Sequence, residues 1–110
     1  MDGDQLPWQI NRPGAITVQD ADDGHVLHMS GDVVDVVVEH LMATRPVDLS
    51  RVVAVDVGDV TYIDSTGLSL LARWAQAAAA GGRPAEIRRH TTRFGRVLEV
   101  AGLTTLFVYA

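Results

Sequence analysis

The 110-residue chain contains no cysteine, which excludes disulfides and thiolate metal sites and fits a reducing compartment. Aromatic residues make up only 5% of it against 47% hydrophobic residues overall, so the core is expected to be Val, Leu and Ala. Positive charge is scarce, and a net charge of -5 argues against nucleic acid as a partner. The cations that do cluster, Arg83, Arg88, Arg89, Arg93 and Arg96, read as a solvated strand end and helix face. No apolar run approaches the roughly 18 residues that would insert in a membrane. A basic start followed by an apolar run is also missing, so no signal peptide is expected and the reading is a soluble, cytoplasmic protein. Walker A, G-x-G-x-x-G and G-x-S-x-G patterns are absent, and His25, His28, His40 and His90 are scattered. Nothing in that inventory asks for a cofactor or a metal, and an enzyme is the least favoured class.

What is present is a run of short elements. Residues 1–14 hold two prolines and no sustained period; Leu6, Trp8 and Ile10 alternate, which leaves a loose tail or an extra edge strand open. Ala15–Gln19 and His25–Met29 read as strands joined by an Asp-Gly hairpin signal. The acidic Asp20–Gly24 loop lacks the spacing and terminal Glu of a calcium loop, so it is read as a turn. Between Val33 and Met42 the valines favour a strand by composition. Their spacing, Val34, Val37, Val38 and Leu41, favours a helix, with Asp32 as its cap and Arg45-Pro46 as its stop. His40 then falls on an exposed helix position.

Arg51–Val57 is apolar almost throughout, as a central strand buried on both faces should be. Asp56 breaks the pattern, either facing solvent or belonging to a site at the strand's C-terminal end. With Asp59 and Asp64 it makes that end of the sheet acidic. A helix follows after Ser65 and runs to about Ala80, with Leu68, Leu71, Ala72, Ala75 and Ala79 as its apolar stripe. Leu70, Trp74 and Ala77 fall outside that stripe, beside Arg73, so Trp74 is either packed on a neighbour or an exposed anchor. Gly81-Gly82 and Pro84 end the helix. Ala85–Arg89 is a weak strand. Thr91 or Thr92 caps a helix with Phe94, Val97, Leu98 and Ala101 inward, and Thr105–Tyr109 closes the sheet. The order is ββαβαβαβ, and a domain over residues 15–110 is expected.

The stretch that organises the chain is Val60–Leu71. Asp64-Ser65-Thr66 forms a strand-to-helix junction with Ser65 at the expected N-cap, where the helix dipole favours an anion. Read alone, Ser65 is a plain capping serine, and Gly67 is a small residue allowing close approach.

Asp64-Ser65-Thr66-Gly67-Leu68 after a hydrophobic strand, Gly81-Gly82 after the helix, and Phe94…Val97-Leu98…Gly102-Leu103 resemble the STAS domain family, over roughly His25 to Tyr109. The resemblance implies an α/β STAS-like fold: a mixed, mostly parallel sheet of about five strands with three or more helices. In the anti-sigma factor antagonist branch it implies a transcription regulator, not an enzyme. Its partner would be an anti-sigma factor with serine kinase activity, which phosphorylates the motif serine, here Ser65, and so releases the antagonist. Asp64, Ser65, Thr66, Gly67, Ser69, Leu70, Arg73, Trp74 and Asp32 are then the expected partner-binding residues. Two departures stand out. Gly31-Asp32-Val33-Val34 lacks the second acid of the family's Gly-Glu-Leu-Asp, and Ser69 replaces a frequent Gly. Leu68-Ser69-Leu70-Leu71 also looks like STAS subunits of lipid-transporting ABC complexes, which dock on an ATPase; that is the alternative.

Overall fold

The computed structural model describes residues 13–110. The expectation for the N-terminal extension therefore lies, up to residue 12, outside the described residues. Strands β1 (Ala15–Ala21) and β2 (Gly24–Val33) form an antiparallel hairpin whose turn is Asp22-Asp23. Helix α1 (Asp35–Thr44) leads through a short 3-10 turn, Leu49–Arg51, into the central strand β3 (Val52–Ile63). Helix α2 (Ser65–Ala80), strand β4 (Glu86–Arg88), helix α3 (Thr92–Val100), a 3-10 turn at Thr104–Leu106 and strand β5 (Val108–Tyr109) complete the chain. The sheet order is β1-β2-β3-β4-β5, and every pair after the first is parallel. This is the expected mixed five-stranded sheet with three helices.

The valine-rich segment is a helix, as its spacing requires: Val38 and Leu41 are buried while Asp35, Val36 and Glu39 face solvent. Its start differs from expectation. Asp32 still belongs to β2, and the residue before α1 is Val34, which offers no capping side chain. Asp32 instead accepts a 2.7 Å hydrogen bond from Thr61 Oγ1, tying the ends of β2 and β3 together. Helix α2 ends where expected but begins one residue early, at Ser65, and its inward face is shifted from the expected stripe. Gly67, Leu70, Leu71, Trp74, Ala75 and Ala78 are buried, at spacings of three and four. Ala79 is exposed, and Leu68 and Ala72 are half-buried. Of the residues set aside as off-stripe, Leu70 and Trp74 are core and Ala77 is half-buried, while Leu71 and Ala75 of the expected stripe are buried with them. At the far end Arg83 N–H reaches Ala78 O at 2.9 Å across Gly82, whose φ of +71° only glycine adopts freely.

The three crossovers after β2 step one strand each time in the same direction. Right-handed crossovers of that kind place every helix on one face. Leu27, Met29, Val55, Val57 and Ile87 from that face join Leu70, Leu71, Trp74, Phe94 and Leu98 in a single core. On the other face Thr17, His28, Asp56 and Arg88 lie side by side in register, half-buried or exposed. The strand C-termini and helix N-termini thus share one rim, where α/β folds place their sites.

Candidate functional site

At that rim β3 gives way to α2 at Asp64. Its backbone is extended (φ -96°, ψ -176°), so Asp64, not Ser65, is the N-cap. One carboxylate oxygen accepts from Gly67 N–H at 2.9 Å. The other accepts from Asp35 N–H, the first amide of α1, at 3.0 Å. Asp64 N–H in turn donates to Val33 O at 3.1 Å. A carboxylate offers two separate oxygens where a serine offers one, and Asp64 uses one for each helix.

Ser65 is the first residue of α2 and is exposed. Its hydroxyl makes no hydrogen bond to any described residue. The capping role expected of it is filled by its neighbour, and its oxygen is left to solvent at the positive end of the helix. Ser69 and Arg73, four and eight positions on, are exposed on the same side of α2. Thr66 is half-buried. Gly67 is buried, and a Cβ there would come within 2.6 Å of Ile63 Cγ1 and 3.0 Å of Val33 O, so the first turn of α2 rests on the sheet.

Besides Gly67, two large side chains expected to meet a partner do not face outward. Leu70 is 1% exposed and Trp74 0%. Trp74 Nε1–H donates to Val52 O at 2.8 Å, and its ring stacks on Phe107 with centroids 5.9 Å apart. Both are core residues, and Asp32 is a half-buried strand tie. In their place stand two exposed apolar side chains that the sequence reading passed over, Val36 (63% exposed) and Tyr62 (57%). Val36 follows the Asp35 amide held by Asp64; Tyr62 lies two residues before it. Their signal was legible as position: Val36 sits off the buried stripe of α1, and Tyr62 inside the motif stretch.

Lower on the open face the sequence also gave no sign of a cluster around Arg89. Its guanidinium donates from Nε to Asp56 at 2.8 and 3.0 Å and from Nη2 to Asp59 at 3.0 Å. His28 Nε2 is 3.0 Å from the same Asp59 oxygen. Burial pushes the Asp56 carboxyl up, but the bonds from Arg89 and from Gly58 N–H outweigh it and hold it below its ordinary range. The bonds from Arg89 and His28 do the same for Asp59. Of the acids expected to make this end of the sheet negative, Asp56 and Asp59 are thus paired, and Asp64 is engaged in capping. Arg89 itself has φ +55°, unusual for a residue with a side chain.

Among the described residues no group of three His, Cys, Asp or Glu side chains is placed to hold a metal. No helix there is long and apolar enough to cross a membrane.

Comparison with known proteins agrees with the fold. Solved structures of similar fold include the Bacillus cell fate determinant SpoIIAA in its phosphorylated form, with a TM-score of 0.62 and 15% identity, covering 86% of this chain and 90% of that one. The anti-sigma factor antagonist SpoIIAA in its unphosphorylated form gives a TM-score of 0.66 at 15% identity, covering 86% of this chain and 87% of that one. At that identity the likeness is one of fold. No curated protein matches the sequence. The family model described as "Mlab, STAS domain" matches residues 16–109, nearly the whole described chain, and the protein belongs to the STAS domain family.

Proposed function

We propose that the protein is an anti-sigma factor antagonist: a binding module, not an enzyme, that docks on an anti-sigma factor of the serine kinase type and is released by phosphorylation of Ser65. The observation that carries this reading is the division of labour between Asp64 and Ser65. Asp64 caps both helices, so the exposed Ser65 hydroxyl has no structural duty and is open to modification. A phosphate there adds about -1.5 to -2 charges beside the first free amides of α2, which favour it. The fold tolerates the group, while a partner seated over Ser65, Ser69 and Arg73, with Val36 and Tyr62 as apolar contacts, does not. The histidines fit this reading: His28 pairs with Asp59 and His25 with Asp20, and neither reaches Ser65. A cytoplasmic setting follows from the partner.

Docking on the ATPase of a lipid-transporting ABC complex is favoured by Leu68-Ser69-Leu70-Leu71. Of these, Leu70 and Leu71 are core, which leaves half-buried Leu68 and exposed Ser69 to mark that surface. One experiment separates the two. The protein is incubated with candidate anti-sigma kinases and ATP and weighed intact, and Ser65→Ala and Ser65→Asp are assayed for binding. One added phosphate that Ser65→Ala cannot accept, with binding kept by Ala and weakened by Asp, is the expected result. No transfer and no kinase binding, together with copurification of a transporter ATPase, would replace the first reading with the second.

A further inference from the structure

Strand β3 is twelve residues long, and β2 pairs with it up to Ile63, but β4 pairs only with Ala54, Val55 and Asp56. The reason is Arg89. Its left-handed backbone turns the chain off the sheet after Arg88, and its side chain is drawn back to Asp56 and Asp59. The chain then enters α3 instead of continuing the ladder. Residues 57–63 of β3 are left with a sheet edge that no strand covers. Beyond Val57, which closes the ladder to Arg88, and apart from Gly58 N–H, which Asp56 Oδ1 accepts, the backbone of residues 58–63 bonds no described residue outside the β2 ladder.

Proteins normally cover or blunt such an edge. Here α3 runs alongside it and leaves a groove of about 260 Å³, with Val60, Ile63, Phe94 and Val97 as apolar walls and Tyr62 and Arg93 at its polar margin. Arg93 and the exposed Arg96 on the next turn have no carboxylate partner among the described residues. In a chain of net charge -5 this is a local cationic border.

We propose that this edge is a docking site for an extended, acidic segment of a partner protein, which adds to the sheet as a strand beside residues 58–62. Main-chain hydrogen bonds to β3 supply the register. Alternate apolar side chains enter the groove against Phe94 and Val97, and carboxylates on the segment meet Arg93 and Arg96. Charge complementarity selects an acidic segment over a basic one, by attraction to the one and repulsion of the other. The surface shares Tyr62 with the docking rim proposed above but does not include the Ser65 hydroxyl.

The test uses the full chain, labelled with ¹⁵N, and two peptides of about ten residues: one alternating Val and Glu, the other Val and Lys. The Glu peptide is expected to shift resonances of residues 58–63 and 91–97, to slow amide exchange in 58–62, and to bind at least about tenfold more tightly than the Lys peptide. Arg93→Glu, an exposed substitution whose folding the same spectrum verifies, is expected to reverse that preference. Equal affinity for the two peptides would overturn the proposal, as would shifts centred on the outer edge of β1 or on α2. So would the absence of any shift at about 1 mM of the Glu peptide.

Discussion

The carboxylate of Asp64 holds the amide of Asp35 at 3.0 Å, across 29 positions of sequence, while its other oxygen caps its own helix at Gly67. The starts of α1 and α2 are therefore fastened by one side chain. Asp64→Ala removes both caps and is expected to cost about 1–3 kcal/mol, since a single cap is worth about 1. Asp64→Asn keeps one acceptor oxygen and should cost roughly half as much. Ser65→Ala, which breaks no bond, should stay within about 0.5 kcal/mol of the native protein. Urea unfolding of the three variants checks the order, and a Ser65→Ala loss as large as that of Asp64→Ala would return the capping role to the serine.

Trp74 provides a second contrast. Trp74→Ala empties a fully buried site and is expected to lose about 3–5 kcal/mol. Trp74→Phe keeps most of the packing on Phe107 but leaves Val52 O without its donor, at about 1–3 kcal/mol. Thermal and urea unfolding measure both. A Trp74→Ala protein of native stability that fails only in partner binding would place the ring on the surface.

Two helical glycines should respond with opposite signs. Gly95→Ala, where the nearest atom to a new Cβ is His90 Cδ2 at 3.6 Å, is expected to stabilise by up to about 1 kcal/mol through helix propensity. Gly67→Ala would gain the same propensity but must push Ile63 Cγ1 from 2.6 Å and the Val33 carbonyl from 3.0 Å, so a net loss is expected. Melting temperatures of the two variants, compared side by side, decide it.

The Arg89 cluster makes stability depend on acid. Asp56 and Asp59 have carboxyls held below their unfolded values, so the stability they contribute is fully present above the ordinary carboxylate pKa of about 3.9. It is lost as the pH falls through the lower folded values. Arg89→Met should be less stable than the native protein at pH 7, and the gap should narrow between about pH 4 and pH 2. Asp48, lowered by its bonds from Ser50, titrates alike in both proteins and cancels. Unfolding free energies measured at a series of pH values give the answer, and a gap independent of pH would mean that the ion pairs add nothing.

The element order, the helical reading of the valine segment and the end of α2 were legible because each rests on local pattern. The cap was not, because Asp64 and Ser65 are adjacent and both suit the role; only the backbone angle of Asp64 decides between them. The inward face of α2 was misread because leucines and alanines occupy nearly all its sides, so several stripes fit equally well. The length of β3 was hidden by Gly58-Asp59, which reads as a break but is carried through by shifts in register against β2. His28, Asp56, Asp59 and Arg89 are brought together only by the sheet, from positions up to 61 apart, and no spacing rule reaches that far.

With every helix on one side, the opposite side of the sheet serves as a handle. A reporter attached there sits away from the rim that carries Ser65. Gln19 is exposed on that side, next to Val26 in the register. The native chain has no cysteine to compete with an engineered one. Gln19→Cys thus offers a single attachment point for a fluorophore or a surface tether, with the Ser65 rim still facing the solution.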